Sequence, residues 1–216
     1  KLSTLKRFSV LLITGLMLVA SGCGMFKDTK LEELYHDVTA RYNGYFNARM
    51  LTQEVVEEVR KTHQDDFNEI LSVYQFPSKE KAKQLTPKCD KIIEKCTRVL
   101  QKHEESKWSD NCYFLMGKAR FYKGQHSKAI QMFRYVSSKY KERPTASRSK
   151  VWVVKTYLKQ GNLTDARAML TNIQSQDQFP QDLQYKLNLT KAAVAIQEGS
   201  YESARRQLRT ALPAVS

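Results

Sequence analysis

The sequence has few of the residues that break helices, with 8 Gly and 5 Pro among its 216 residues. It also has no convincing run in which apolar and polar residues alternate, as they do in a half-buried strand. Long stretches instead repeat apolar residues every three or four positions. The sequence therefore predicts an all-α chain, either one domain of ordinary size or a short solenoid.

The patterns that carry catalysis are also missing. The sequence contains no HExxH, nucleophile elbow or phosphate-binding glycine loop, and its four histidines are spread over separate predicted helices. Adjacent carboxylates such as Asp65 and Asp66 point apart on a helix and read most simply as solvated residues. We therefore predict a protein that is not an enzyme, with no catalytic residue, no cofactor and no small-molecule substrate.

Only four cysteines occur. Cys89 and Cys96 are seven residues apart on one predicted helix face, about 10 Å along its axis, which is too far for a disulfide between them. Either could meet Cys112 on the next helix, although the favoured interpretation is that these cysteines are small buried apolar residues. No CxxC or HxxxH spacing accompanies them, so no metal site is predicted.

What the sequence does contain is a unit that occurs three times. Glycine, alanine and a large apolar residue recur with identical spacing at steps of about 37 and 38 residues, as Gly124, Ala129 and Phe133, then Gly161, Ala166 and Leu170, then Gly199, Ala204 and Leu208. Small residues of this kind lie where two helices touch, and the apolar stripe on each helix needs a neighbouring unit to cover it. The pattern predicts three tetratricopeptide (TPR) helical hairpins, at 110–143, 144–180 and 181–216.

The third predicted hairpin has no capping helix after Pro213. A solenoid normally closes its last unit with a helix whose outer side is polar. We therefore expect this unit to be truncated, and we expect Leu208, Ala211 and Leu212, together with part of the predicted helix at 185–197, to form an exposed apolar strip.

The amino-terminal residues 1–22 have the form of a secretion signal, because positive charges precede an apolar run that ends in small residues. The run is shorter than the roughly 20 residues that cross a bilayer. Ala20-Ser21-Gly22-Cys23 resembles a bacterial lipobox, with Ala20 where leucine is commoner. The resemblance implies that Cys23 receives lipid, that 23–30 is a linker, and that the protein is held at the periplasmic face of the outer membrane.

Residues 31–103 form a further predicted helical region, with a bend near Gly44 and a separate helix at 79–103. In this region LYHDVTARYNGYFNA (34–48) and KCDKIIEKCTRVLQKH (88–103), followed by the first hairpin, resemble the start of the PorW/SprE lipoproteins of the type IX secretion system of Bacteroidota. The most specific block of the resemblance contains Tyr42, Asn43, Gly44, Tyr45 and Phe46.

The resemblance to PorW/SprE implies a lipoprotein that is needed for protein secretion across the outer membrane and, in gliding species, for motility. Its partners would be other proteins of the secretion machinery. The alternative is an outer-membrane assembly lipoprotein with TPR repeats, of the kind that helps to insert β-barrels. The RYNGYFNA block separates the two classes, because the repeats of the barrel-assembly class begin soon after the anchor without it.

The formal net charge is +14. In an exported protein this charge makes nucleic acid an unexpected partner and favours an acidic protein surface or anionic lipid headgroups. The first helix of each TPR hairpin lines a concave groove, and cations and aromatics interleave there. This combination suits a peptide that carries carboxylates. The predicted partner-binding residues are Lys118, Tyr122, Arg148, Trp152, Lys155, Lys159 and Lys186.

Overall fold

The computed structural model describes Leu34, Val38 and residues 44–175 and 179–212. Within these residues it contains α-helices, one short 3-10 helix (Gln181–Leu183) and no strand, which confirms the all-α prediction. Cys23, Tyr42, Asn43 and the predicted signal and linker lie outside the described residues. The helices are α1 (Phe46–Thr62), α2 (Lys79–Lys102), α3 (Ser109–Tyr122), α4 (His126–Lys139), α5 (Pro144–Lys159), α6 (Leu163–Gln174), α7 (Gln184–Gln197) and α8 (Tyr201–Ala211).

The helices pack in chain order. From α1 to α6 each helix lies against the next one, and α8 lies against α7. Helix α7 contacts both α5 and α6, and α3 contacts α1 and α5 as well as its chain neighbours. Helices that cover one another pair by pair are compatible with a helical-repeat solenoid, in which each unit buries the apolar face of the next.

The three repeated glycines end the first helix of each pair in the same way. Gly124, Gly161 and Gly199 have φ angles of 80°, 71° and 72°, in the left-handed region that favours glycine. At Gly124 the glycine amide donates to the carbonyl of Phe121 at 2.9 Å, and the Gln125 amide donates to the carbonyl of Arg120 at 2.8 Å. The same two bonds recur at the other two glycines. This is the Schellman ending of a helix, so the glycine spacing seen in the sequence is the spacing of the turns.

Small residues near these turns lie where the two helices of a pair touch. Ala129 and Ala166 are fully buried, and Ala204 is 3% exposed. On α3, a Cβ built on Gly117 would come 2.6 Å from a ring carbon of Phe133, a side chain that is itself fully buried. Side chains larger than those present would therefore separate the two helices of a pair.

Ala129→Leu is expected to lower the free energy of unfolding by about 1–3 kcal/mol, because the added side chain overpacks a fully buried position. Urea denaturation followed by circular dichroism measures the change. Ala168→Leu is the matched control, because Ala168 is exposed on α6 and is expected to change stability by less than about 0.5 kcal/mol. Equal stability of the two variants would contradict the assigned helix contacts.

The three cysteines in the described part of the chain are buried free thiols. Cys96 on α2 and Cys112 on α3 form a thiol–thiol hydrogen bond, and this contact together with burial raises the pKa of Cys96. Burial raises the pKa of Cys89 to about 12. Protonated, buried thiols act as small apolar residues, as the sequence indicated, and Cys96 is the one that meets Cys112.

The prediction of an exposed apolar strip is wrong for two of the three residues at the end of the chain. Ala211 is fully buried, and Leu208 is partly buried against Ala192, Ala195 and Ala204. Only Leu212 of the three is exposed, at 61%. The reason is that α8 turns the side of the helix that carries Leu208 and Ala211 onto α7, so these two residues are covered within their own pair.

Candidate functional site

Three of the lysines predicted to line the groove converge in the structure, one from each of three helices. Lys118 lies on α3, Lys155 on α5 and Lys186 on α7. The Nζ atoms of Lys118 and Lys155 are 5.3 and 5.0 Å from the centroid of the Trp152 ring. Lys186 is close enough to both to disfavour their charged forms. Lys118, Lys155, Lys186 and Trp152 are called the lysine site below.

Burial dominates the electrostatics of the lysine site. It lowers the pKa of Lys155 to about 7, with further contributions from Lys118 and then Lys186. It lowers the pKa of Lys118 to about 8, with a further contribution from Lys186. An ammonium group loses hydration when buried, and nearby positive charges oppose protonation further. These amines therefore lose their protons far more readily than exposed lysines do.

A segment between α1 and α2 crosses the groove at the lysine site. This segment, residues 72–78, is called the strap. The Tyr74 hydroxyl forms a 2.8 Å hydrogen bond with the Thr190 hydroxyl on α7. The Tyr74 ring centroid is 3.7 Å from Lys155 Nζ, and Phe76 makes an edge contact with Phe121 at 5.7 Å between ring centroids. The strap thereby joins the first part of the chain to α3, α5 and α7.

The sequence did not predict the strap. Its apolar residues Tyr74, Phe76 and Pro77 stand in a short non-repeating segment, which has no periodicity to show which side is buried. The available signal was the presence of three apolar residues next to a polar stretch. Burial raises the pKa of Tyr74, and Pro77 is buried as well.

The remaining predicted groove residues lie in three different surroundings. The Lys159 Nζ is 5.7 Å from the Phe76 ring, so Lys159 reaches the strap. Arg148, near the beginning of α5, lies near Tyr45, and its charge opposes the rise in the pKa of Tyr45 that burial causes. Tyr122 is 7% exposed and belongs to the core, which corrects its assignment to the exposed groove surface. Its ring packs against Trp152 because the face of α3 that carries it turns towards α5.

One wall of the groove is acidic, which the sequence did not predict. A cavity of about 700 Å³ separates Lys118 from α1, whose residues Glu54, Glu57 and Glu58 line it. Lys88 pairs with Glu58 and, at 3.4 Å, with Glu54, while Lys81 pairs with Glu58 at 3.4 Å. These glutamates lie outside the three repeats, so repeat phase could not place them. The groove consequently has a charge-paired wall at α1 and an unpaired positive centre at the lysine site.

The block that carries the family resemblance packs against the end of α2. Gly44 and Tyr45 form a wide helical turn that leads into α1. A Cβ on Gly44 would lie 1.9 Å from Val99 Cγ2, so only glycine allows this approach of the two helices. The Tyr45 ring stacks on Trp108 with 4.8 Å between ring centroids. Phe46, in contrast, is 49% exposed and faces away from these contacts.

Among residues 44–175 and 179–212, no group of three or more His, Cys, Asp or Glu side chains is arranged to hold a metal ion. None of the described helices combines the length and the apolar composition that would let it cross a lipid bilayer.

No protein-family model matches the sequence, and no curated protein matches it.

Proposed function

We propose that this chain is a lipid-anchored TPR-type scaffold of the type IX protein secretion system. In this proposal it is held at the periplasmic face of the outer membrane through Cys23. It is required for secretion across that membrane and for gliding motility, and it acts by binding other proteins of the secretion machinery. The observation that carries the proposal is the RYNGYFNA block, residues 41–48, which resembles the PorW/SprE lipoproteins.

The repeats support a scaffold role. Three helix pairs contain the same glycine turn and the same buried alanine, and they repeat at steps of about 37 and 38 residues, slightly longer than the roughly 34 of TPR hairpins. Solenoids of this kind present an extended concave surface, and they commonly hold a peptide or a helix of a partner in it. The groove over α3, α5 and α7 has the aromatic and cationic side chains that such binding needs.

The packing of the RYNGYFNA block supports its use as a specific feature of the protein. Gly44 and Tyr45 hold the beginning of α1 against α2, and this contact leaves Phe46 exposed. An exposed aromatic on a rigid support is the kind of side chain that contributes strongly to protein interfaces. Phe46 is therefore the residue of the block through which a partner contact can be tested without disturbing the core.

Phe46→Ala is expected to reduce export of type IX cargo into the culture medium, because it removes the exposed ring of the block and leaves the packing of Gly44 and Tyr45 intact. Cargo in the supernatant is measured by immunoblotting. Phe67→Ala is the matched control, because Phe67 is 84% exposed and lies outside the block. Normal secretion in the control, together with equal levels of both variants in the envelope, attributes the loss to the block.

Deletion of residues 31–48 separates the proposed class from the alternative class. It is expected to stop secretion while β-barrel proteins continue to insert into the outer membrane. Impaired barrel insertion with normal secretion would contradict the proposal and favour the outer-membrane assembly class. Crosslinking of the lipidated protein in isolated envelopes, followed by affinity capture, then identifies the partner.

A further inference from the structure

The lysine site has no acidic partner in the part of the chain that the structure describes. Lys118, Lys155 and Lys186 form no ion pair with a carboxylate of residues 44–175 or 179–212. Repulsion from the neighbouring lysines is instead one of the causes that lower the pKa of Lys118 and Lys155, after burial. Like charges held together away from water lower stability, and such arrangements cluster at binding sites. A bound anion would remove this repulsion.

We infer that the lysine site binds one carboxylate, the side chain of an Asp or Glu in an extended segment of a partner protein. The inference rests on the proposed function, because it names the group that the groove of the scaffold holds. The ammonium groups of Lys118 on α3 and Lys155 on α5, which share the Trp152 ring, can donate to one carboxylate, and Lys186 on α7 adds positive charge nearby. The rings of Trp152 and Tyr74, which already lie within 5.3 Å of a lysine Nζ, offer apolar area to the rest of the segment.

A single acidic residue fits the groove better than an acidic run. The cavity next to Lys118 is lined by Glu54, Glu57 and Glu58 together with Lys61 and Lys88, so charges of both signs lie there and a second carboxylate would gain little attraction. Lys81 and Lys88 do not attract such a run, because they already pair with glutamates of α1. The lysine site is therefore the part of the groove in which several lysines lie together without a carboxylate among the described residues.

The position of the site favours a protein segment over a membrane surface. The strap crosses the groove here, and its Tyr74 is bonded to Thr190 on the far side. The Lys155 Nζ lies 3.7 Å from the Tyr74 ring of the strap, and the ammonium groups of Lys118 and Lys155 both lie beside Trp152. A flat bilayer cannot approach recessed groups of this kind, whereas one extended chain can enter a groove between helices.

Two five-residue peptides and the full chain test the inference. One peptide has a central glutamate between alanines with both ends blocked, and the other has glutamine in its place. NMR of the lysine side chains follows binding, and the signal of Lys155 is identified by its loss in Lys155→Met. The glutamate peptide is expected to raise the pKa of Lys155 well above 7, because a carboxylate favours the charged amine.

Binding is also expected to weaken as the pH rises from about 6 to about 9, because Lys155 and Lys118, with pKa values of about 7 and about 8, lose their charge in that range. The groups that face Lys155 are Lys118, Lys186 and the Tyr74 ring, with Lys159 one turn further along α5. The charged groups on the side of the groove next to Lys118 are Glu54, Glu57, Glu58, Lys61 and Lys88.

Lys155→Met and Lys118→Met are each expected to weaken binding of the glutamate peptide about tenfold, the usual effect of one charge-assisted hydrogen bond. Lys83→Met removes the same charge from the exposed face of α2 and is expected to leave binding unchanged. Equal weakening of peptide binding in Lys83→Met would show that the overall positive charge of the protein attracts the peptide. That result would contradict binding at the lysine site. Equal binding of the glutamine peptide would overturn it too.

Inorganic phosphate distinguishes a free anion from a partner's carboxylate. Phosphate that binds as tightly as the glutamate peptide would overturn the assignment to a protein segment. These outcomes leave the scaffold proposal unaffected, since that proposal is judged by secretion in the Phe46→Ala strain. Normal secretion in that strain, conversely, leaves the peptide measurement unaffected.

Discussion

Phe121→Ala is expected to lower the free energy of unfolding by about 3–5 kcal/mol, the usual cost of removing a large aromatic side chain from a core. Phe121 is 1% exposed, and its ring contacts Trp152 at 5.3 Å and Phe76 at 5.7 Å between centroids. Phe121, which lies on α3, therefore packs against both α5 and the strap. Urea denaturation measures the loss, which is small enough to leave a protein of ordinary stability folded.

The same substitution is expected to loosen the strap. With the Phe121 ring removed, Phe76 loses its edge contact, so the amides of residues 72–78 should exchange faster with deuterium than in the unaltered protein. Phe133→Ala is the matched control, because Phe133 is fully buried on α4 and contacts Phe114 and Trp152. Similar destabilisation with equal exchange of the strap in both variants would show that Phe121 does not hold the strap in place.

Lys155→Met is expected to stabilise the protein at pH 7 by roughly 1–4 kcal/mol, because it replaces an unpaired charge in a desolvated position by an apolar side chain of similar length. The Tyr74 ring, 3.7 Å from Nζ, attracts the ammonium group. Desolvation nevertheless outweighs that attraction, because the net effect of the surroundings is to lower the pKa of Lys155 to about 7. Thermal unfolding at constant ionic strength measures the change.

The stability of the unaltered protein is expected to rise with pH in the window from about 7 to about 9.5. Lys155 and Lys118 have folded-state pKa values of about 7 and about 8, below the ordinary lysine value of 10.5. Between those values the unfolded chain binds more protons than the folded chain, so raising the pH favours folding. Above that window Tyr74 acts in the opposite direction. Burial raises the pKa of Tyr74 in the folded chain, so the unfolded chain loses this proton first and a further rise in pH favours unfolding.

The slope of stability against pH is the discriminating measurement. Lys155→Met is expected to remove much of the rise between pH 7 and about 9.5, whereas Lys83→Met, which changes an exposed residue, is expected to retain it. A flat profile in the unaltered protein would mean that Lys155 is hydrated, and it would contradict the burial argued for the lysine site.

Most of the helices could be predicted because their signals are local. The three-and-four spacing of apolar residues marks a helix within a dozen positions, and helix α2 was expected at 79–103 and found at Lys79–Lys102. The groove residues Lys118, Trp152 and Lys155 followed from the same phase, because equivalent positions in a repeat face the same side. Tyr122 did not follow, because its position on α3 falls at the boundary between groove and core.

The sequence by itself determined the helices, the glycine turns at Gly124, Gly161 and Gly199, and the class of side chain that faces the groove. Each of these depends on residues within one or two turns of one another. Only the tertiary structure decided which distant segments cross and line the groove. The strap reaches it through contacts such as that between Tyr74 and Thr190, 116 residues apart, and the acidic wall comes from α1, outside the repeats. Whether Lys155 keeps its charge depends on water that these distant segments exclude, and that burial has no counterpart in local sequence.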